Sequence, residues 1–255
     1  MLEILDLQAG YGENRVLRGV CFSLQPGQLA GLLGANGSGK TTLLRAICGI
    51  VPHEGKCLLH GAPLDGLSAK KLAQKVSYVP QRSGITIDLT ALEVVEMGFH
   101  ANLGLLRRPS RTMTNTAVQA LERVGIDPNV NFLHLSEGQK QLCIMARTMV
   151  GSSRLVLLDE PESALDLANR YEIFARLKSW MGSRTVLTAL HDPQLALQIC
   201  DVLVLLKDHT VHSILHPKTD SRETMETALC QIYGELRLYD LDGTLVPVKT
   251  PEVRA

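Results

Sequence analysis

The stretch GANGSGKTT at residues 34–42 constrains the fold of this 255-residue chain more than any other. It fits the pattern G-x-x-x-x-G-K-[ST], in which glycines let consecutive backbone N–H groups turn inward around a phosphate. An apolar run at residues 29–33 precedes it and the helical sequence TLLRAICG follows it. A strand, this loop and a helix in succession place an anion at the helix N-terminus. These flanks favour a nucleoside triphosphate site over an ordinary glycine-rich turn.

The side chains of this phosphate loop suit the chemistry of a nucleotide bound with a metal ion. Lys40 can reach the β- and γ-phosphates, and the hydroxyl of Thr41 can hold Mg²⁺. The expected nucleotide-binding residues of the loop are Gly34, Ala35, Asn36, Gly37, Ser38, Gly39, Lys40, Thr41 and Thr42.

The overall composition excludes several classes of protein. Hydrophobic residues make up 45% and charged residues 20% of the chain, which is typical of a globular domain. Basic and acidic residues number 26 each, so we expect no global attraction to nucleic acid. The six cysteines are scattered without a C-x-x-C pair, which favours reduced core thiols over a zinc site or a disulfide scaffold.

The sequence shows neither a signal peptide nor a membrane span. The N-terminal MLEILDLQAGYG lacks a basic region followed by an apolar one. No apolar run approaches the ~18 residues that cross a bilayer. A membrane connection would therefore run through a partner.

The order of strand-like and helical segments predicts an α/β fold. Short β-like runs open the chain, residues 87–150 have helical spacing, and LVLLD and TVLTAL read as buried parallel strands. We expect a phosphate-loop NTPase core with a mainly parallel sheet, an N-terminal antiparallel β portion and an inserted helical subdomain. Within a single domain of residues 1–255, the expected parts are a core (1–86 and 151–207), a helical subdomain (87–150) and a C-terminal helix and hairpin (208–255).

The run LVLLDE at residues 155–160 is an apolar strand that ends in two acids. In a phosphate-loop fold the first, Asp159, can hold Mg²⁺ through water. The second, Glu160, could orient or deprotonate an attacking water. A solvated strand end explains this motif equally well when it is taken alone, but the phosphate loop strengthens the functional interpretation.

The motif LSEGQ at residues 135–139 lies between the phosphate loop and these acids. It is similar to LSGGQ, the signature motif of the ATPase subunits of ABC transporters. Residues 1–207 resemble that family in the order of its motifs. The matching positions are Tyr11, where an aromatic residue stacks on adenine, with Val16 nearby; the phosphate loop; the Q-loop residue Gln81; LSEGQ; Asp159 and Glu160; the D-loop SALD at residues 163–166; and the switch histidine His191.

Several of these residues also have a simpler structural explanation. A tyrosine after a strand is often a packing residue, and His191 before Asp-Pro could cap a turn. Ser136 could be a helix N-cap. For Ser136 both interpretations can hold, because N-cap geometry would present its hydroxyl and the N–H of Gly138 to a phosphate.

The resemblance implies a composite ATP site formed by two copies of the chain that face head to tail. ATP would lie between the phosphate loop of one copy and Ser136, Gly138 and Gln139 of the other. Thr41, Gln81 and Asp159 would organise Mg²⁺. Glu160 would be the general base, and His191 would contact the γ-phosphate.

Two acids depart from the family pattern. Glu137 replaces the first glycine of LSGGQ, where an inward-pointing carboxylate would repel a triphosphate. Glu162 stands where threonine is more usual and could raise the pKa of Glu160.

A single cassette without a membrane span resembles the separate ATPase subunit of a bacterial importer. The segment at residues 64–98 resembles subunits that serve iron–siderophore, haem or cobalamin uptake. That resemblance implies a polytopic permease partner and a peripheral position on the cytoplasmic face of the cell membrane. The alternatives are a soluble ABC ATPase that drives assembly or scaffolding, and a cassette that only binds nucleotide.

Two further patterns suggest other functions but have simpler explanations. DLDGT at residues 240–244 matches the nucleophile motif of haloacid-dehalogenase-like phosphatases, but too little chain follows it for that domain. A hairpin with an Asp-Gly turn explains it better. His209, His212 and His216 lack ligand partners at metal spacing, so we expect a solvated hairpin there.

Overall fold

The computed structural model describes residues 1–81, 84–103, 107–163, 165 and 167–249. The chain divides into two units, one formed by Met1–Asp65 with Thr185–Ala255 and the other by Gly66–Arg184. No helix in the described part has both the length and the apolar character of a membrane span.

The first unit begins with an antiparallel sheet of alternating apolar residues. Its strands are β1 (Leu2–Tyr11), β2 (Asn14–Leu24), β4 (His53–Leu59) and β5 (Ala62–Pro63), in the order β2-β1-β4-β5. Leu2, Ile4 and Leu7 of β1 are fully buried, while Leu5 between them is exposed. Such alternation is expected of a sheet with one face on the core. The predicted N-terminal antiparallel portion is confirmed.

The central strand of the first unit, β3 (Leu29–Gly34), is buried along its whole length. Both neighbours, β8 (Thr185–Ala189) and β9 (Val202–Lys207), run parallel to it. β10 (Thr210–Leu215) then adds an antiparallel strand to β9. The continuous apolar sequences of these strands are those expected of a sheet covered on both faces.

Three helices and a hairpin complete the first unit. They are α1 (Lys40–Ile47), α7 (Pro193–Ile199), α8 (Arg222–Tyr233) and the strands β11 (Leu236–Leu241) and β12 (Thr244–Lys249). Asp242 and Gly243 form the turn, with φ values of 52° and 82°. Positive φ at both central residues is the geometry that favours an Asp-Gly turn. DLDGT is therefore the hairpin that its sequence favours.

The second unit combines a parallel strand pair with helices. β6 (Val76–Val79) pairs with β7 (Leu155–Asp159), and Tyr78 lies opposite Leu157. The helices are α2 (Ala69–Ala73), α3 (Ala91–Glu96), α4 (Arg111–Arg123), α5 (Glu137–Val150) and α6 (Leu167–Met181).

The helical segments between β6 and β7 are shorter than their sequence periodicity suggests. The run LTALEVVEMGFHANLGLL contains only the six-residue helix α3 and a 3₁₀ turn at Met97–Phe99, and its residues 104–106 lie outside the described part. α3 starts at a capping box, in which the side chain of Thr90 accepts from Glu93 N and Glu93 caps the N–H of Thr90. The helical character predicted for this region is present in α3, α4 and α5.

Candidate nucleotide site

The phosphate loop joins β3 to the N-terminus of α1, as its sequence predicts. α1 has no side-chain cap and no acidic residue in its first turn. Its N-cap, Gly39, has a φ of 104°, and a Cβ there would lie 2.5 Å from Leu17 Cδ2. At Gly34 a Cβ would lie 2.6 Å from Leu206 O. Only glycine fits these positions, and the first N–H groups of α1 have no side-chain cap that would compete with an anion.

Two buried side chains of the loop fit a phosphate ligand. Lys40 is 5% exposed, and its ammonium donates to the carbonyl oxygens of Gly34 at 2.8 Å and Ala35 at 3.4 Å. The buried hydroxyl of Ser38 makes no hydrogen bond to any residue that the structure describes. A buried hydroxyl without a partner is costly unless a ligand satisfies it. Ser38 is therefore suited to donate to a phosphate oxygen.

Tyr11 and Val16 lie on the same unit as the loop. Tyr11 is 50% exposed and lines a cavity of about 470 Å³ together with Gly12, Arg15 and Ile50. Its hydroxyl accepts from Arg45 Nη1 at 3.5 Å. A Cβ on Gly39 would lie 3.5 Å from Val16 Cγ1, so Val16 borders the loop. An exposed ring on a cavity wall is available for stacking.

His191 follows β8, which pairs with the strand of the phosphate loop. Leu190 N donates to Leu32 O at 3.1 Å, so the histidine comes next to the carboxyl end of β3. The cap of α7 is Asp192, whose carboxylate accepts from Gln194 N at 2.9 Å and Leu195 N at 3.2 Å. His191 is exposed and does not cap this helix.

The two acids at the end of β7 have different environments. Asp159 is 2% exposed and accepts from the hydroxyl of Tyr78 at 2.9 Å. Glu160 accepts from Gln81 Nε2 at 2.7 Å, and its backbone has a φ of 51°. A left-handed conformation is uncommon for a residue with a Cβ and turns Glu160 out of the strand. Tyr78 is not among the site residues predicted from the sequence, although its place near the end of a parallel strand is a signal that could have identified it.

The LSEGQ motif forms the N-terminus of α5. Ser136 is the N-cap, and its side chain accepts from Gln139 N at 3.2 Å while Gln139 Oε1 accepts from Ser136 N at 3.0 Å. Gly138 lies in the first turn. The helix-cap interpretation therefore holds, and α5 is long enough to present a positive end to an anion.

Glu137 and Glu162, the two acids that depart from the family pattern, differ in their exposure to solvent. The side chain of Glu137 is 72% exposed and pairs with Lys140 at 2.8 Å, so its carboxylate faces solvent. Glu162 is 3% exposed. Of the D-loop, Ala164 and Asp166 lie outside the described residues.

Comparison with known proteins gives consistent matches. A family model described as ABC transporter matches residues 17–163, a segment that holds the phosphate loop, Gln81, LSEGQ and Glu160. The cobalamin import ATP-binding protein BtuD of Halobacterium salinarum is 32% identical over 225 residues, which cover 86% of this chain and 56% of that protein. The chain thus spans little more than half of that relative.

Other relatives match over most of their length. The hemin import ATP-binding protein HmuV of Vibrio cholerae is 36% identical over 208 residues, which cover 79% of this chain and 80% of that protein. An ABC transporter described as metal-chelate type, solved in an inward-facing conformation, is 26% identical with a TM-score of 0.79 and 97% coverage of both chains. The dimeric ATP-binding cassette solved with ADP and phosphate, at 24% identity and a TM-score of 0.75, supports the fold.

The match to the family model, the identity to these relatives and the local geometry of the phosphate loop agree. The predicted phosphate-loop NTPase fold is confirmed, and the chain belongs to the ABC transporter family of ATP-binding cassette proteins.

Proposed function

We propose that this chain is the ATP-hydrolysing subunit of a membrane importer for iron–siderophore, haem or cobalamin-type substrates. The observation that carries the nucleotide part is the phosphate loop, where uncapped helix amides, the Lys40 ammonium and the orphaned Ser38 hydroxyl lie together. The similarity to a cobalamin import ATP-binding protein and to a hemin import ATP-binding protein supports an import function.

The first unit supplies the groups proposed to bind the triphosphate. Lys40 and the loop amides hold phosphate oxygens, because a cation and a positive helix end both favour negative charge. Tyr11 stacks on adenine beside Val16. His191, exposed next to the end of β3, contacts the γ-phosphate.

The second unit supplies the groups proposed for hydrolysis. Glu160 is the general base, and Gln81 holds its carboxylate in one orientation through the 2.7 Å hydrogen bond. The hydroxyl of Tyr78 orients the carboxylate of Asp159 through a hydrogen bond. Carboxylates that bind metal ions are commonly oriented by such neighbouring groups.

The residues proposed for Mg²⁺ all carry oxygen donors, which this ion prefers. They are Thr41, Gln81 and Asp159. The amide nitrogen of Gln81 donates to Glu160, which leaves its Oε1 as the end that can coordinate an ion. When bound, Mg²⁺ would neutralise charge on the β- and γ-phosphates.

The proposed partners are a second copy of the chain and a permease. Ser136, Gly138 and Gln139 would bind the γ-phosphate of ATP on the other copy. The capping box uses the N–H groups of Ser136 and Gln139 but not that of Gly138, and the positive end of α5 favours an anion there. Attachment to a permease would place the chain on the cytoplasmic face of the membrane.

The test combines turnover with co-purification. The purified chain should hydrolyse ATP in the presence of Mg²⁺, and Glu160→Gln should abolish this turnover. Glu122→Gln, on the exposed face of α4, is the control and should leave turnover unchanged. Co-expression with a polytopic membrane subunit encoded beside this chain's gene, where one exists, should yield a complex. Turnover by a chain that forms no complex with a membrane subunit would support the soluble assembly ATPase instead. ATP binding without turnover would support the nucleotide-binding cassette.

A further inference from the structure

Three side chains that could bind a metal ion meet at one end of the antiparallel sheet. They are His53 and Cys57 of β4 and Asp65, which follows β5. One potential ligand atom from each lies within 4.8 Å of the other two. This is the only such group found among the described residues.

The local fold explains why these residues meet. His53 and Cys57 are four residues apart in one strand, and the two-residue period of a strand puts them on the same face. The β4–β5 hairpin returns the chain, so that Leu64 N donates to Cys57 O at 2.8 Å. The next residue, Asp65, accepts from Cys57 N at 3.1 Å through Oδ2.

The distances within this group are close to those of a coordination sphere. His53 Nε2 lies 2.7 Å from Asp65 Oδ1 and 3.7 Å from Cys57 Sγ. Ligands around one tetrahedral zinc ion are roughly 3.2–3.8 Å apart, given bond lengths of 2.0–2.3 Å. If the side chains of His53 and Asp65 moved slightly apart, the three ligand atoms would have the spacing that a bound ion requires.

The surroundings also fit a recessed site with an entry path. Cys57 is fully buried, while the side chains of His53 and Asp65 are 13% and 34% exposed. The carboxylate of Asp65 is thus the most exposed of the three potential ligands. Burial and the neighbouring Asp65 raise the pKa of Cys57 to about 12, so the thiol is protonated before an ion arrives.

We propose that His53, Cys57 and Asp65 form a binding site for a divalent transition-metal ion of the zinc class. Thiolate, imidazole and carboxylate are the ligand types that Zn²⁺ and Co²⁺ share, and a water would complete four-coordination. The S–H bond of Cys57 breaks as the metal–sulfur bond forms, and its proton passes to solvent. The hydrogen bond between His53 and Asp65 is replaced by two bonds to the ion.

This site is separate from the phosphate loop and does not depend on the proposed transport function. The sequence hides it, because H-x₃-C-x₇-D is not one of the recognised zinc spacings. His53 and Tyr11 line the same cavity, so the ion would lie beside the wall of that cavity.

The test uses Co²⁺ as a spectroscopic probe of the nucleotide-free protein. The chain should bind one Co²⁺ and show a near-ultraviolet thiolate-to-cobalt charge-transfer band. Added Zn²⁺ should displace the Co²⁺ and remove this band. Cys57→Ser should abolish the band. His53→Gln and Asp65→Asn should each weaken Co²⁺ binding by at least about tenfold.

The matched control is Cys21→Ser, which removes an exposed thiol from the same sheet. This variant should keep the band and the affinity. Far-ultraviolet circular dichroism of each variant shows whether it is folded. If Cys57→Ser does not fold, Asp65→Asn, at a partly exposed position, replaces it in the test. A band that persists in Cys57→Ser, no band in the wild type, or unchanged affinity in both His53→Gln and Asp65→Asn would overturn the proposal.

Discussion

Gln81 Nε2 donates to Glu160 Oε2 at 2.7 Å, across 79 residues of sequence, while the backbone of Glu160 holds a left-handed φ of 51°. A residue with a Cβ pays about 1–2 kcal/mol for this conformation. The strain persists where the surrounding structure holds it, and such positions cluster at functional sites. The pair thus fixes both the position and the orientation of the carboxylate that we propose as the base.

The first prediction concerns the carboxylate itself. Glu160→Gln should lower kcat by about 10²–10⁴-fold, because an amide cannot accept the proton of the attacking water. ATP binding should remain, and an ATP-bound dimer should accumulate. Phosphate release and size-exclusion chromatography with ATP would measure both effects. Normal turnover in this variant would remove Glu160 from the role of base.

The second prediction places a like charge beside that base. Gln81→Glu would bring two carboxylates to hydrogen-bonding distance, which raises the pKa of the base. The acid limb of the pH–kcat profile should then move to higher pH, by roughly one unit. Gln81→Ala should lower kcat without that shift, since it removes the donor but adds no charge. Identical profiles for the two variants would show that the pair does not control the base.

The third prediction concerns the close packing of the phosphate loop. Gly39→Ala should destabilise the fold by about 1–3 kcal/mol and weaken ATP binding, since its Cβ would lie 2.5 Å from Leu17 Cδ2. Gly61→Ala is the control, because Gly61 also has a positive φ, of 74°, but nothing lies within 4 Å of its added Cβ. Chemical denaturation and nucleotide titration would measure the two effects. Equal losses of ATP affinity in both variants would contradict the steric argument.

The fourth prediction separates the two roles of Ser136. Ser136→Ala should cost about 1 kcal/mol of stability, the usual effect of removing an N-cap. It should also weaken ATP-driven dimerisation of the Glu160→Gln protein. Ser110→Ala removes the N-cap of α4, where the side chain accepts from Met113 N, and should cost a similar stability without any effect on the dimer. Sedimentation with ATP distinguishes these results, and equal dimerisation by both variants would exclude a role in trans.

The fifth prediction concerns a buried phenol at the end of α8. Burial, and to a smaller extent the nearby carboxylate of Asp192, raises the pKa of Tyr233 from 10.0 to about 12. The folded state therefore holds the proton more tightly than the unfolded state. The resulting stability is present below pH 10 and is lost as pH rises toward 12.

Tyr233→Phe has no such proton to lose. Its free energy of unfolding at neutral pH should lie within about 1 kcal/mol of the wild-type value, because both side chains are uncharged there and differ only by the hydroxyl. The stability of Tyr233→Phe relative to the wild type should grow between pH 10 and 12, by about 2 kcal/mol in order of magnitude. Tyr239→Phe, at an exposed position of β11, is the control and should show no such growth. Parallel pH dependence of all three proteins would rule out this linkage.

Local sequence patterns accounted for much of the candidate site. The strand, loop and helix around Lys40 follow from contacts between neighbours in the chain, and the capping box at Ser136 follows from residues three apart. The Asp-Gly hairpin at the C-terminus is equally local. Such features can be predicted because turn geometry and helix capping involve few residues.

The sequence by itself thus determined the phosphate loop, the signature helix and the family. Tertiary structure alone decided that Gln81 holds Glu160, that Tyr78 orients Asp159, and that His53, Cys57 and Asp65 meet. The first two contacts join residues about eighty positions apart, and the third depends on the register of a hairpin. Pairing of distant strands sets these distances, and no periodicity along the chain encodes them.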